Sequence, residues 1–189
     1  MQNALSPDDE RDLIAEIATN PDAFRSLYRH YFGRVFAYIA YRVGRQQDAE
    51  DVTADVFMRV VSNLHQFEYR GEGSFSAWIF RIAYNTTQEF HRQNQARIFL
   101  TLEEIPDVKG ERLSHDEALI RKEQFARLHQ MIATLSPRRQ EVITLRFFGE
   151  LRNQEIAEIL TLDERTVASH LCRGLEDLQR KYQHEDIST

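Results

Sequence analysis

A chain of 189 residues carrying 42% apolar residues can build one or two packed domains. It carries no bilayer-spanning run, because its densest apolar stretch, Ser74 to Tyr84, is short and broken by Arg81. The single cysteine, Cys172, rules out an internal disulfide and a CxxC metal site. The acidic N-terminus lacks a secretion pattern, so a soluble cytoplasmic protein without membrane insertion is expected.

Glycine and proline are scarce, at seven and four residues, and helical periodicity dominates. The expected fold class is all-α, with two small helical domains on a flexible linker. A short helix over Asp8 to Thr19 ends at the Pro21-Asp22 break. A long one covers Ala23 to Arg45, with Phe24, Leu27, Tyr28, Tyr31, Val35, Tyr38 and Ile39 as its main stripe and Gly44 near its end. The next, Asp48 to Gln66, turns Val52, Val56, Val60 and Leu64 inward and carries Asp48, Asp51 and Asp55 on one face. Tyr69 to Gly73 reads as a loop with two flexible glycines. Ser74 is placed to cap a helix from Phe75 to Gln95.

Residues 96–117 lose the period and read as an acidic tether between a first domain, 1–95, and a second, 118–189. A helix from Ala118 to Leu135 follows. Ser136-Pro137 then restarts a helix that ends at Gly149. Asn153 to Tyr182 completes the chain as two helices around a tight turn. Ile156, Ala157 and Leu160 form one apolar face, and Val167, Leu171, Leu175 and Leu178 the other; Asp163 is placed to cap the second helix.

Charge is arranged in blocks although the net value is −6. Residues 1–23 hold six acids against one Arg, 24–47 five Arg and no acid, 48–57 four acids, and 58–100 five Arg against three Glu. DNA-binding domains are usually basic because phosphate contacts dominate affinity. This pattern suits a chain that grips DNA weakly alone and firmly once a partner supplies phosphate contacts.

Two constellations carry chemistry. Arg165, Thr166, Ala168, Ser169, His170 and Arg173 remain outside the apolar face of the last helix, where a major-groove reader needs small polar and cationic side chains. Helix pairs of this kind are also ordinary packing units. On the Phe75 to Gln95 helix, Arg81, Tyr84, Asn85, Gln88 and Arg92 combine cations, an aromatic ring and amides, which suits single-stranded DNA. A solvated face accounts for the same arginines and amides, and Trp78 reads better as core. The Asp48, Asp51 and Asp55 stripe lacks a nearby His or a calcium-loop glycine, so a docking face for a basic partner is favoured over metal binding. No HExxH pair, phosphate loop or GxSxG elbow gives catalysis a foothold, and no cofactor is expected.

Together these segments resemble the extracytoplasmic-function (ECF) sigma factors, the smallest members of the sigma-70 family of bacterial transcription initiation factors. DAEDVTADVFMRVV (Asp48 to Val61) resembles the family's polymerase-binding helix. Phe67 to Arg92 resembles its melting and minus-ten segment. Leu135 to Leu160 and Thr166 to Leu178 resemble its minus-thirty-five reader. The resemblance implies that Asp48, Asp51, Asp55, Phe57 and Val61 meet the clamp helices of core RNA polymerase. It implies that Tyr69, Arg70, Gly71, Ser74 and Phe75 hold a flipped minus-ten base, with Arg81, Tyr84, Asn85, Gln88 and Arg92 along the melted strand. Arg165, Thr166, Ser169, His170 and Arg173 would meet the minus-thirty-five duplex, and the tether would thread the RNA exit path. Ala54 stands where many members carry Gln, and Ala168 and His170 where basic residues are common. The implied partners are core polymerase, promoter DNA and an anti-sigma factor. A helix-turn-helix regulator acting on duplex DNA without polymerase is the alternative.

Overall fold

The computed structural model describes residues 6–17, 20–94 and 115–187. The described residues form eight α-helices and one 3₁₀ turn. Helix α1 (Pro7–Glu16) starts where the Ser6 hydroxyl accepts the Asp9 amide at 3.1 Å. Helix α2 (Pro21–Val43) is capped by Asn20 and stops at Gly44, whose φ of 83° suits a residue without a Cβ. Helix α3 (Gln46–Asn63) runs into the 3₁₀ turn Leu64–Gln66.

Helix α4 (Ser74–Gln93) begins one residue earlier than the sequence suggests, with Gly73 at the cap position. The Ser74 hydroxyl closes the preceding loop instead. It donates to the Gly71 carbonyl at 2.7 Å and accepts the Arg70 amide at 3.1 Å.

The tether assigned to 96–117 lies outside the described residues up to 114, and its last three residues already belong to α5 (His115–Ala133). The acidic composition that reads as a tether is equally what a helix N-terminus favours. Helix α6 (Pro137–Phe147) follows the expected Ser-Pro restart, and α7 (Asn153–Leu160) begins where expected. In the turn Thr161 takes φ 54°, and the Leu162 amide donates to the Ala157 carbonyl at 2.9 Å, a Schellman-type stop. Asp163 precedes α8 (Glu164–Ile187), and its carbonyl accepts the Val167 amide at 3.0 Å.

Helix α2 packs against α1, α3, α4 and α6. Every residue from Val35 to Tyr41 is therefore buried. A helix that is apolar nearly all round belongs in the middle of a fold rather than on one face of it. Around α2 lie Val52, Val56 and Val60 of α3 and Phe75, Ile79, Phe80 and Ala83 of α4.

This core continues without a break into the second half, through Val142, Leu145, Leu151, Ile156, Ile159 and Val167. A smaller cluster, Ile132, Leu135 and Ile143, closes over Tyr41 of α2, whose ring stacks on Phe148 at 4.9 Å. The two halves thus pack on each other, chiefly α7 across α4. Each large apolar side chain buried at this junction stabilises the packing by roughly 1.5–3 kcal/mol.

Candidate nucleic-acid interface

Helix α3 presents an acidic outer face. Asp51 and Asp55 are exposed, while Asp48 is half-buried at the start of the helix, 3.9 Å from Arg45. Asp55 pairs with Arg59 at 3.0 Å, and Arg59 also meets Glu89 of α4 at 2.9 Å. The hydrogen bond from Arg59 holds the Glu89 carboxyl below its usual range. Val61 is exposed, as is Met58.

Phe57 is not part of that face. It is 6% exposed and lies beneath Tyr28 (ring centroids 4.6 Å apart) and Phe32 (6.2 Å) of α2. Its position on the inward side of α3, beside Val56 and Val60, makes it a support. Tyr28 and Phe32, each about one-third exposed, form the accessible aromatic surface above it. The i,i+4 spacing of Tyr28 and Phe32 is visible in the sequence, although their exposure is not.

The loop before α4 is shaped by two glycines in the left-handed region, Gly71 at φ 111° and Gly73 at 82°, and by the Ser74 hydroxyl. Tyr69 is half-buried and donates to the Pro7 carbonyl at 3.3 Å, so α1 braces the loop. Helix α1 is itself fixed by a buried bond from the Tyr31 hydroxyl to Glu10, whose carboxyl burial pushes upward. Arg70 is exposed beside Glu68. Phe75 is 2% exposed and packs with Phe67 and Trp78, so it anchors the loop from below and offers no face to a base as the chain stands.

On α4, Arg81, Asn85, Gln88 and Arg92 lie along one stripe, as expected, and all four are exposed, while Tyr84 is half-buried. The Arg81 guanidinium donates to the Glu158 carbonyl of α7 at 2.6 Å, and Gln88 donates to Glu141 of α6 at 3.2 Å. The loop is also engaged: Arg152 donates to the Glu72 carboxylate at 2.8 Å and to its carbonyl at 3.0 Å. Ser76 hydrogen-bonds Glu155, whose carboxylate also accepts the Arg152 amide at 2.7 Å. Gly73 therefore does more than flex. A Cβ there would collide with the Arg152 guanidinium, a close approach that glycine permits.

At the start of α8, Arg165, Ser169 and Arg173 are exposed and Thr166 and His170 half-buried, while Val167 faces the core. Burial first, then Arg139, Arg138 and Arg173, hold the His170 imidazole below its usual value. Gly174 lets α8 approach α6, since a Cβ there would stand 3.2 Å from Ile143. Among the described residues no helix is long and apolar enough to cross a membrane.

Two family profiles match this chain: sigma-70 region 2 over residues 27–97 and sigma-70 region 4 over residues 125–178. The ECF RNA polymerase sigma factor BldN of Streptomyces coelicolor is 31% identical over 163 residues, 86% of this chain, which spans 61% of BldN. The ECF RNA polymerase sigma factor SigX of Bacillus subtilis is 28% identical over 84% of this chain and 83% of its own. The fold is similar to that of CnrH, solved with the cytosolic domain of CnrY, at a TM-score of 0.68 and 22% identity, covering 93% of this chain and 98% of CnrH. It is also similar to RpoE of Bartonella quintana, solved with the anti-sigma factor NepR, at 0.61 and 18% identity, covering 85% and 96%. With both region profiles matched in order and ECF relatives along most of its length, the chain belongs to the ECF group of the sigma-70 family.

Proposed function

We propose that this chain is a promoter-specificity subunit acting in the cytoplasm, and not itself an enzyme. It joins core RNA polymerase, reads minus-ten and minus-thirty-five elements, and promotes melting of the DNA. Residues 1–95 and 118–189 are its two working units. The outer face of α3, with Asp48, Asp51, Asp55 and Val61, docks on polymerase, and the exposed rings of Tyr28 and Phe32 extend that surface. Phe57 supports them from below.

The Tyr69–Ser74 loop, anchored from below by Phe75, takes an extruded base, and Arg81, Tyr84, Asn85, Gln88 and Arg92 follow the single strand by phosphate contacts, stacking and base-edge hydrogen bonds. Arg165, Thr166, Ser169, His170 and Arg173 enter the minus-thirty-five major groove. An anti-sigma factor is the expected regulator, as NepR is described for its RpoE partner.

The observation that carries this reading is one chain holding two different nucleic-acid faces: an open recognition-helix start on α8 and a cation-amide stripe beside a preshaped loop on α4. A regulator of duplex DNA alone has no use for the second. Reconstitution with bacterial core polymerase, run-off transcription on a genomic library and sequencing of transcript starts test it. Initiation at promoters sharing two spaced elements is expected. Duplex binding without initiation at any promoter would overturn it and leave the helix-turn-helix regulator.

A further inference from the structure

The hydrogen bonds that join the two halves have a polarity. Arg34 of α2 donates from Nε and Nη2 to the Gly149 carbonyl at 3.0 and 2.7 Å, and from Nη2 to the Glu150 carbonyl at 3.3 Å. Arg42, also on α2, meets the Glu141 carboxylate at 2.7 Å, and Gln88 donates to the same oxygen. Arg81 donates to Glu158, and Ser76 bonds Glu155. The first half thus supplies three guanidiniums, an amide and a hydroxyl, while the second offers carbonyls and carboxylates. Arg152 donates the other way, to the Glu72 carboxylate and carbonyl.

A row of acceptor oxygens, partly anionic, facing guanidiniums and amides is what a phosphodiester backbone presents to a protein. The Arg42–Glu141 pair is buried yet imperfectly satisfied: Arg42 Nε and Glu141 Oε2 have no hydrogen-bond partner. Desolvation offsets most of what such a pair gains from attraction, so exchanging Glu141 for another anion costs little. Arg34 is held in place as well, with its guanidinium over the rings of Tyr31 (5.4 Å) and Phe80 (5.6 Å). It would keep its direction once Gly149 withdrew.

We propose that Arg34 and Arg42 belong, with Arg81 and Gln88, to a phosphate-binding track for the melted DNA strand, which the second half covers by placing the Glu141 carboxylate and the Gly149, Glu150 and Glu158 carbonyls where phosphate oxygens would lie. Strand and second half then compete for one set of donors. The free chain is blocked by its own acceptors, and an event that parts α7 from α4 uncovers the track together with the loop that Arg152 occupies. This inference rests on the minus-ten reading above and adds two arginines to it.

The test uses the full chain and a short, mixed-sequence, fluorescein-labelled single-stranded deoxyoligonucleotide, with anisotropy read across a salt series. The double variant Glu141→Gln/Arg152→Ala loosens the junction and should bind at least about tenfold more tightly than the parent, the shift expected when a minor open state becomes the main one. Adding Arg34→Gln and Arg42→Gln to it should lower the salt slope by about 1.4, roughly 0.7 for each phosphate left without its cation.

No gain on loosening, or an unchanged slope after both arginines are replaced, overturns the proposal. Should the loosened variant fail to fold by circular dichroism, the holoenzyme arm decides. In holoenzyme, Arg34→Gln/Arg42→Gln should shorten open-complex lifetime while leaving core association at parental strength, and an unchanged lifetime overturns the proposal. If the parent chain initiates normally while these arms fail, only this inference falls. If the parent does not initiate at all, the minus-ten reading itself has failed.

Discussion

The two segments proposed to face DNA stand in opposite conditions. The start of α8 is open, with Arg165, Ser169 and Arg173 turned to solvent and only Val167 of that turn committed to the core. The stripe of α4 is exposed along most of its length, yet Arg81 and Gln88 are bonded to α7 and α6 and the preceding loop to Arg152. On the proposed assignment, the duplex reader on α8 can engage as it stands, whereas the single-strand reader on α4 must first be released. The difference follows from composition and position. The α8 face is small and polar and points away from its neighbours, while α4 sits between α2 and α3 on one side and α7 on the other.

The sharpest way to break this comparison is to test whether the halves melt together. Leu145 lies in the second half but in the shared core, fully buried. Leu145→Ala should cost about 2–5 kcal/mol. Trp78, the sole tryptophan, sits in the first half beside Phe67 and Phe75, so its fluorescence should report that loss in urea unfolding. A normal Trp78 transition in this variant would mean that the halves unfold independently.

Next comes Arg173→Ala, which removes an exposed cation from the proposed duplex reader. A weakening of duplex binding by about 1–3 kcal/mol is expected if the guanidinium reads a base, and a salt slope lower by about 1 if it meets a phosphate. Titrating holoenzyme on a minus-thirty-five duplex distinguishes the two. Asn85→Ala should leave that titration unaltered and reduce open-complex formation instead, since Asn85 lies on the stripe proposed to read the single strand.

Much of the fold is legible because it is written in local periodicity. The starts of α6 and α7, the stop at Gly44 and the shared stripe of Arg81, Asn85, Gln88 and Arg92 all follow from short-range spacing. The junction is not legible. Arg42 meets Glu141, and Ser76 meets Glu155, across long stretches of chain, and no local pattern pairs them. Phe57 and Phe75 differ from expectation for a related reason. Each lies in a segment with an outer polar face, and single-helix periodicity does not say that a neighbouring helix covers the aromatic on its flank. Gly73 reads as a turn glycine, whereas its missing side chain is needed for the approach of Arg152, a residue far along the chain.

Histidine titration offers a milder test of the same junction. Burial holds His91 and His129 below the usual imidazole value. Their unfolded forms take up a proton near pH 6.5 while the folded forms stay neutral to lower pH. The stability that they contribute is thus present above about pH 6.5 and is lost as pH falls below it. His129 lies against the Tyr41 ring at 4.8 Å, so it senses the contact between α5 and α2. Glu141 works in the opposite sense. Its carboxyl is raised by burial, so its contribution grows as pH falls toward the ordinary carboxylate range. Comparing His129→Gln with the parent isolates the imidazole: the variant should lose less stability than the parent between about pH 6.5 and 5. Equal losses would mean that His129 is protonated as readily folded as unfolded.

The smallest expected effect on stability is at Asp55, and it is informative for that reason. Asp55 and Arg59 are both more than a third exposed, and Arg59 keeps Glu89 when Asp55 is neutralised. An exposed pair of this kind contributes at most about 1 kcal/mol, so Asp55→Asn should leave the unfolding transition almost where it was. Its effect on association with core polymerase should be far larger if α3 is the docking face, because a carboxylate facing a basic partner sets both encounter rate and register. Tyr28→Ala and Phe32→Ala remove the aromatic surface over Phe57 and should weaken the same association without altering single-strand binding. Loss of core binding with intact stability would place the docking face on α2 and α3. A parental affinity in all three variants would move it elsewhere on the chain.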